Sequence, residues 1–151
     1  MASFFSIRPA STGERETLEA LQWRASLNNS GDREALLAHP DAIVLPDAQI
    51  EAGGVFVAER DNVIIGFAAV QPRADGTAEL DGLFVEPALW KHGIGRSLVN
   101  HCAAFASAGG ASALHVTGNP HSLGFYNACG FEQIGVEKTR FGAGLVMRKQ
   151  L

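Results

Sequence analysis

The chain has 151 residues, 46% of them hydrophobic and 19% charged. That length closes a hydrophobic core in one ordinary domain, and that composition excludes intrinsic disorder. A formal net charge of -4 argues against a nucleic-acid partner, and no apolar stretch is long enough for a membrane span.

The start, Met1 to Pro9, has no long apolar run and carries Arg8 inside a strand-like pattern, unlike a signal peptide. The two cysteines, Cys102 and Cys129, lie far apart and form no C-x-x-C. Neither a metal site nor a disulfide is expected from them, and a reducing, cytoplasmic setting fits. No repeat, low-complexity run or long linker divides the chain, so residues 1–151 are expected to form a single domain.

Phe4 to Arg8 reads as a first strand. Ser11 or Thr12 caps a helix beginning near Gly13, with Glu14 and Glu16 in its first turn and a buried stripe of Leu18, Leu21 and Ala25. A second helix is predicted from Asp32 to His39, stopped by Pro40. Asp41 to Gly54 is irregular, with room for one helical turn near Asp47 to Ala52.

Two strands follow, Val55 to Arg60 and Val63 to Gln71, joined at Asp61-Asn62. Asp75-Gly76 is a second turn, and a strand runs from Thr77 to Val85 until Pro87. A helix is predicted from Gly93 to Ser107, with Ile94, Leu98, Cys102 and Phe105 on its buried face and Gly109-Gly110 closing it. On that stripe Cys102 reads as a buried, inert thiol. Then come a strand from Ser112 to Thr117, a short helix from His121 to Ala128 ended by Gly130, and strands near Phe131 to Lys138 and Leu145 to Lys149.

The order is β-α-α-β-β-β-α-β-α-β-β. Its β-α-β crossover demands a parallel pair while its hairpins are antiparallel. The expected fold is an α/β (α+β) mixed sheet of six to seven strands, flanked by about four helices.

The segment from Leu83 to Arg96 carries the most chemistry. A strand ends, a loop turns, and a helix starts at Gly93-Ile94-Gly95. Unpaired N–H groups at a helix start favour an anion, and glycines let it approach the backbone. Lys91 and Arg96 add positive charge. A diphosphate suits such a turn, although a purely structural turn fits the glycines as well. A dinucleotide fingerprint fails because its third glycine would fall at Leu98, and a P-loop fails for want of Gly-Lys-Ser/Thr.

The acidic-apolar strand, Val85-x-Pro87, the six-residue loop Trp90 to Gly95 and the glycine helix start resemble motif A of the GNAT superfamily of acetyltransferases. That family's loop reads Gln/Arg-x-x-Gly-x-Gly/Ala. Trp90 departs from it at the first position, and Lys91 is the neighbouring charge. The resemblance implies that Lys91, His92, Gly93, Ile94, Gly95, Arg96 and Ser97 hold the diphosphate of coenzyme A. Main-chain groups of Phe84 and Val85 would hold the pantetheine arm.

Asn119, Phe125-Tyr126 and Gly130-Phe131 are similar to motif B of the same family. The resemblance implies that Tyr126, the chain's single tyrosine, protonates the departing coenzyme A thiolate, and that Asn119 and Phe125 border the cofactor. Read alone, Tyr126 would be a packed ring with a satisfied O–H. The likeness covers Val55 to Phe131 well, the first fifty residues only in element order, and the last twenty as two strands.

Amide formation needs a free amine, so a base or a water chain must take a proton. Glu79 and Asp81 stand two apart on one strand face, which Leu83 and Val85 should continue. Repulsion between the two carboxylates would raise one pKa. A solvated strand end explains the pair as well. The resemblance favours Glu79. His115 and His121 are lesser candidates, read more simply as a packed strand residue and a helix starter.

The expected activity is therefore N-acetyl transfer from acetyl-CoA to a primary amine, on a small molecule or a peptide, by direct attack and without a metal. The rivals are an acyl-CoA sensor of the same fold and a phosphate-binding domain for an ordinary nucleotide. Trp23, Asn28, Asn29 and Phe141 are candidates to shape the acceptor site. A homodimer is expected, with Gly144 to Lys149 as an edge strand needing cover.

Overall fold

The computed structural model describes residues 5–28, 33–39, 41–139 and 142–151. Seven strands form one sheet in the order β1-β2-β3-β4-β5-β7-β6. They are β1 Ser6–Pro9, β2 Val55–Arg60, β3 Val63–Pro72, β4 Ala78–Val85, β5 Ala113–Gly118, β6 Glu132–Thr139 and β7 Gly142–Gln150. The helices are α1 Arg15–Leu27, α2 Arg33–Ala38, α3 Asp47–Glu51, α4 Ile94–Ala108 and α5 Leu123–Ala128. All neighbours are antiparallel except β4 and β5. Among the described residues no helix is long and apolar enough to cross a membrane.

Both faces of the sheet are covered, which is why β2 and β3 read as nearly continuous apolar runs. Phe56, Ala58, Ala68 and Val70 turn towards α4, meeting Leu98, Val99 and Cys102. Val55, Val57, Phe67 and Ala69 turn the other way, onto Leu18 and Leu21 of α1 and Ile50 of α3. Asp61 and Asn62 take positive φ of 53° and 64°, the conformation a two-residue hairpin needs and Asp and Asn tolerate.

Several expectations need correction. Helix α1 starts at Arg15, behind a 3₁₀ turn over Thr12–Glu14. There the Ser11 N–H donates to Glu14 Oε1 at 2.9 Å. The turn near Asp47 is a fifth helix. Phe105 is 43% exposed, because α4 rotates Val99, Ala103 and Ala106 into the core and leaves Phe105 at the rim, edge-on to Phe56. Gly144 to Lys149 is no edge: β7 lies between β5 and β6, and the edge falls to β6. Phe4, Asn29, Asp32, Pro40 and Phe141 lie outside the described residues.

The face shared by Glu79 and Asp81 does not continue to Leu83 and Val85. Ala69 pairs with Gly82 while Val70 pairs with Leu80, leaving Asp81 as the extra residue of a β-bulge. An extra residue reverses the alternation beyond it. Leu83 and Val85 therefore pack against the α4 side and Phe84 against the α1 side.

Candidate active site

Strands β4 and β5 separate. Among the described residues their parallel ladder holds only Ala78 with Leu114 and Glu79 with His115, although β4 runs on to Val85 and β5 to Gly118. Past Glu79 the main chain of β4 has no strand on that side. Glu86 N–H donates to Ile65 O at 2.9 Å. By antiparallel alternation Phe84 also points its main chain at β3, while Leu83 and Val85 direct theirs into the gap. Phe84 offers its ring instead, 5.3 Å from that of Phe67.

Below the gap lies the glycine turn. Gly93 is the N-cap of α4 at φ 84°, a left-handed conformation that strains any side chain. Ser97 N–H closes the helix's first turn on Gly93 O at 3.1 Å. The N–H groups of Ile94, Gly95 and Arg96 precede that bond and have no intrahelical partner. Gly95 keeps space before the Phe125 ring: a Cβ there would stand 3.2 Å from it and push it aside. Trp90 anchors the loop, its Nε1 donating to Val85 O at 2.8 Å. A bidentate pair between Arg24 and Glu86, with contacts of 3.0 and 2.7 Å, ties α1 to the end of β4.

A cavity of about 520 Å³ spans this region, lined by Val85, Trp90, Lys91, Gly93 to Arg96, Phe125 and Tyr126. A second, of about 580 Å³, lies on the acidic side, lined by Glu79, Asp81, Thr117, Asn119 and Glu137. The two share Leu83, Phe84, Ser122 and Tyr126. A larger cavity of about 730 Å³ opens at the far end of the sheet, around Pro72, Gly76 and Phe105. It shares no residue with the other two, and among the described residues neither a carboxylate nor a phenol lines it. Size alone therefore does not identify the site.

Tyr126 stands at the junction. Its ring packs edge-on against Phe125 at 5.1 Å and Phe131 at 5.4 Å, and a Cβ on Gly118 would lie 3.0 Å from it. The residue is only 8% exposed. Its O–H has no hydrogen-bond partner among the described residues. Burial pushes the phenol pKa up, and the neighbouring Cys129 adds to the shift. The group therefore stays protonated at neutral pH, as a proton donor must.

Asp81 Oδ2 accepts from Gln49 Nε2 at 3.0 Å and Gln71 Nε2 at 2.9 Å. Glu79 and Glu137 make no side-chain hydrogen bond or ion pair among the described residues. His115 Nδ1 is buried without a partner, and burial lowers that imidazole's pKa, with Arg73 adding to the effect.

The structure gathers most of the predicted residues. Phe84, Val85, Lys91, Gly93, Ile94, Gly95, Arg96, Phe125 and Tyr126 line the first cavity, together with His121. Glu79 and Asn119 line the second, where Asn119 Oδ1 accepts from Ser122 Oγ at 3.2 Å. His92 and Ser97 line neither. Sequence reasoning missed Ala25, Leu89 and Cys129 on the first cavity and Glu137 on the second. Glu137 gives no local signal, since it is one of several exposed polar residues in β6.

The model of the Acetyltransferase (GNAT) family matches residues 16–131. No curated protein matches the chain in sequence. Solved structures share its fold. A GCN5-related N-acetyltransferase from Rhodopseudomonas palustris superposes with a TM-score of 0.79 at 19% identity, over 100% of this chain and 98% of that one. The PaiA N-acetyltransferase from Thermoplasma acidophilum, solved with coenzyme A, gives 0.76 at 21%, over 98% and 99%. A ribosomal-protein-alanine N-acetyltransferase from Brucella melitensis gives 0.73 at 25%, over 97% and 99%.

Proposed function

The chain belongs to the GNAT acetyltransferase family, and on that premise we propose that it moves the acetyl group of acetyl-CoA to a primary amine by direct attack. The observation that carries this reading is the meeting of two cavities at Tyr126, one beside an anion-suited turn and one beside carboxylates.

Bound acetyl-CoA supplies an activated acetyl thioester. The free N–H groups of Ile94, Gly95 and Arg96 bind its diphosphate, with Lys91 and Arg96 adding charge. The fit is supported by Gly95, where any side chain would fill the space before Phe125. The main-chain groups of Leu83 and the N–H of Val85 hold the pantetheine amides, the Val85 carbonyl being engaged by Trp90. Phe84 contributes its ring.

Glu79 takes the proton from the incoming ammonium, directly or through water; Asp81 is already engaged by two amides. Tyr126 gives its proton to sulfur as the C–S bond breaks. What supports that role is a buried, protonated phenol without another partner.

Residues 1–151 act as one domain in this reading. A homodimer would use β6, where Ile134 and Val136 are 57% and 62% exposed. Light scattering that returns a monomer mass overturns that assembly.

Release of free thiol from acetyl-CoA in the presence of a panel of amines tests the activity. Amine-dependent release with matching amide product is expected. Tight acetyl-CoA binding without release would instead support the sensor.

A further inference from the structure

We propose that the second cavity selects an acceptor carrying another positive charge beyond the reacting amine, and that Glu137 reads that charge. The inference rests on the transferase reading and names its substrate class.

Among the described residues three carboxylates line this cavity: Glu79 and Asp81 from β4 and Glu137 from β6. No basic side chain lines it among the described residues. The carboxylates differ in what they have left to offer. Asp81 is held by Gln49 and Gln71 at 3.0 and 2.9 Å. Glu79 lies at the point where β4 and β5 part and is the base in the proposed reaction. Glu137 sits on the outermost strand, opposite Gly144 of β7, and has no partner among the described residues.

Tyr126, 8% exposed and with no side-chain hydrogen bond among the described residues, lines this cavity as well as the first. A ligand is therefore expected to reach from the phenol to the carboxylates. The chemistry that satisfies these groups has a reacting amine near Tyr126 and Glu79 and a second cationic group near Glu137. A diamine, or a basic side chain next to a peptide amine, has that form. An acceptor with a carboxylate would meet like charge and lose affinity.

The reacting end and the reading end are separate, so their effects can be separated. Removing the Glu137 charge leaves Glu79 and Tyr126 in place. It should act on the second charge of the acceptor and therefore on KM more than on kcat. Glu137 belongs to an exposed strand, so the preference it supports is modest, about five-fold.

The test compares kcat/KM for 1,4-diaminobutane against butylamine, and for lysinamide against norleucinamide, in the wild type and in Glu137→Gln and Glu137→Lys. The wild type is expected to prefer each dication, by KM. Glu137→Gln should shrink that preference about five-fold and Glu137→Lys should abolish or reverse it. Equal use of dications and monocations by the wild type overturns the inference. So does a Glu137→Gln loss that is the same for both, which is what a merely structural role would give. Absence of thiol release with every acceptor overturns the transferase reading, and this inference with it.

Discussion

The indole Nε1 of Trp90 donates to the main-chain carbonyl of Val85 at 2.8 Å. Trp90 stands where the family's loop carries Gln or Arg, and the bond shows what the replacement does. It ties the first residue of the glycine loop to the last residue of β4, across the chain reversal at Pro87. One of the free carbonyls in the gap is thereby satisfied. Trp90→Phe keeps the ring and removes the donor. The expected cost is about 1 kcal/mol of stability in denaturant unfolding, with weaker acetyl-CoA binding because the turn loses its tie to β4. Unchanged values of both would reduce Trp90 to a surface ring.

The two glycines of the turn should fail differently. At Gly93, φ of 84° penalises any side chain, so Gly93→Ala should cost about 1 kcal/mol of stability or more. At Gly95 the backbone is ordinary helix and the obstacle is Phe125 at 3.2 Å. Gly95→Ala should displace that ring into the cofactor cavity and weaken acetyl-CoA binding with little loss of stability. Gly95→Asp adds negative charge beside phosphate and should weaken it further. Calorimetry and unfolding on the same preparations separate the cases.

For Glu79→Gln, turnover should fall roughly ten-fold or more at acidic to neutral pH. The deficit should narrow at high pH, where more amine is already free. A pH–rate profile parallel to wild type would assign proton removal to another group or to a water chain.

Burial pushes the Cys102 thiol up to about 12 and raises the Tyr126 phenol as well. Both groups keep their protons in the fold after the unfolded chain has lost them, at about pH 8.5 to 9 for Cys and about pH 10 for Tyr. The stability linked to them is whole below those values and is lost as pH rises. Unfolding free energy should hold steady from about pH 7 to 8 and then fall by at most about 1.4 kcal/mol per pH unit for each group. Burial raises the Cys129 thiol as well, so it takes Cys102→Ala together with Cys129→Ala to delay the onset to about pH 10. An onset that does not move places the titration elsewhere.

The elements were legible because both faces of the sheet are buried and the turns carry their own chemistry. Asp61-Asn62 announced a hairpin, and Gly93-Ile94-Gly95 marked a helix start. What escaped was whatever depends on register. The bulge at Asp81 reverses alternation in mid-strand, and the adjacent Gly82 is its one local sign. That one residue turned Leu83 and Val85 to the face opposite the one strict alternation assigns. The acceptor side was hidden for a related reason. Glu137 is far from Glu79 in sequence and meets the same cavity from β6, which the sheet order places beyond β7. The cofactor side was clearer, because most of its residues come from two short segments around Gly93 and Tyr126.

The proposed chemistry turns on Tyr126, and the measurement that tests it most directly is kcat of Tyr126→Phe, taken with melting temperature and acetyl-CoA affinity on the same preparation. The O–H has no partner among the described residues, so its removal should leave stability nearly unchanged. A hydrogen bond that strengthens as charge develops on sulfur contributes to the transition state and not to the ground state. The predicted result is kcat lower by roughly 10²-fold, with affinity and melting temperature close to wild type. Full activity in the phenylalanine variant, or a loss of stability of about 1 kcal/mol with kcat intact, would contradict that chemistry and leave Tyr126 a packing residue.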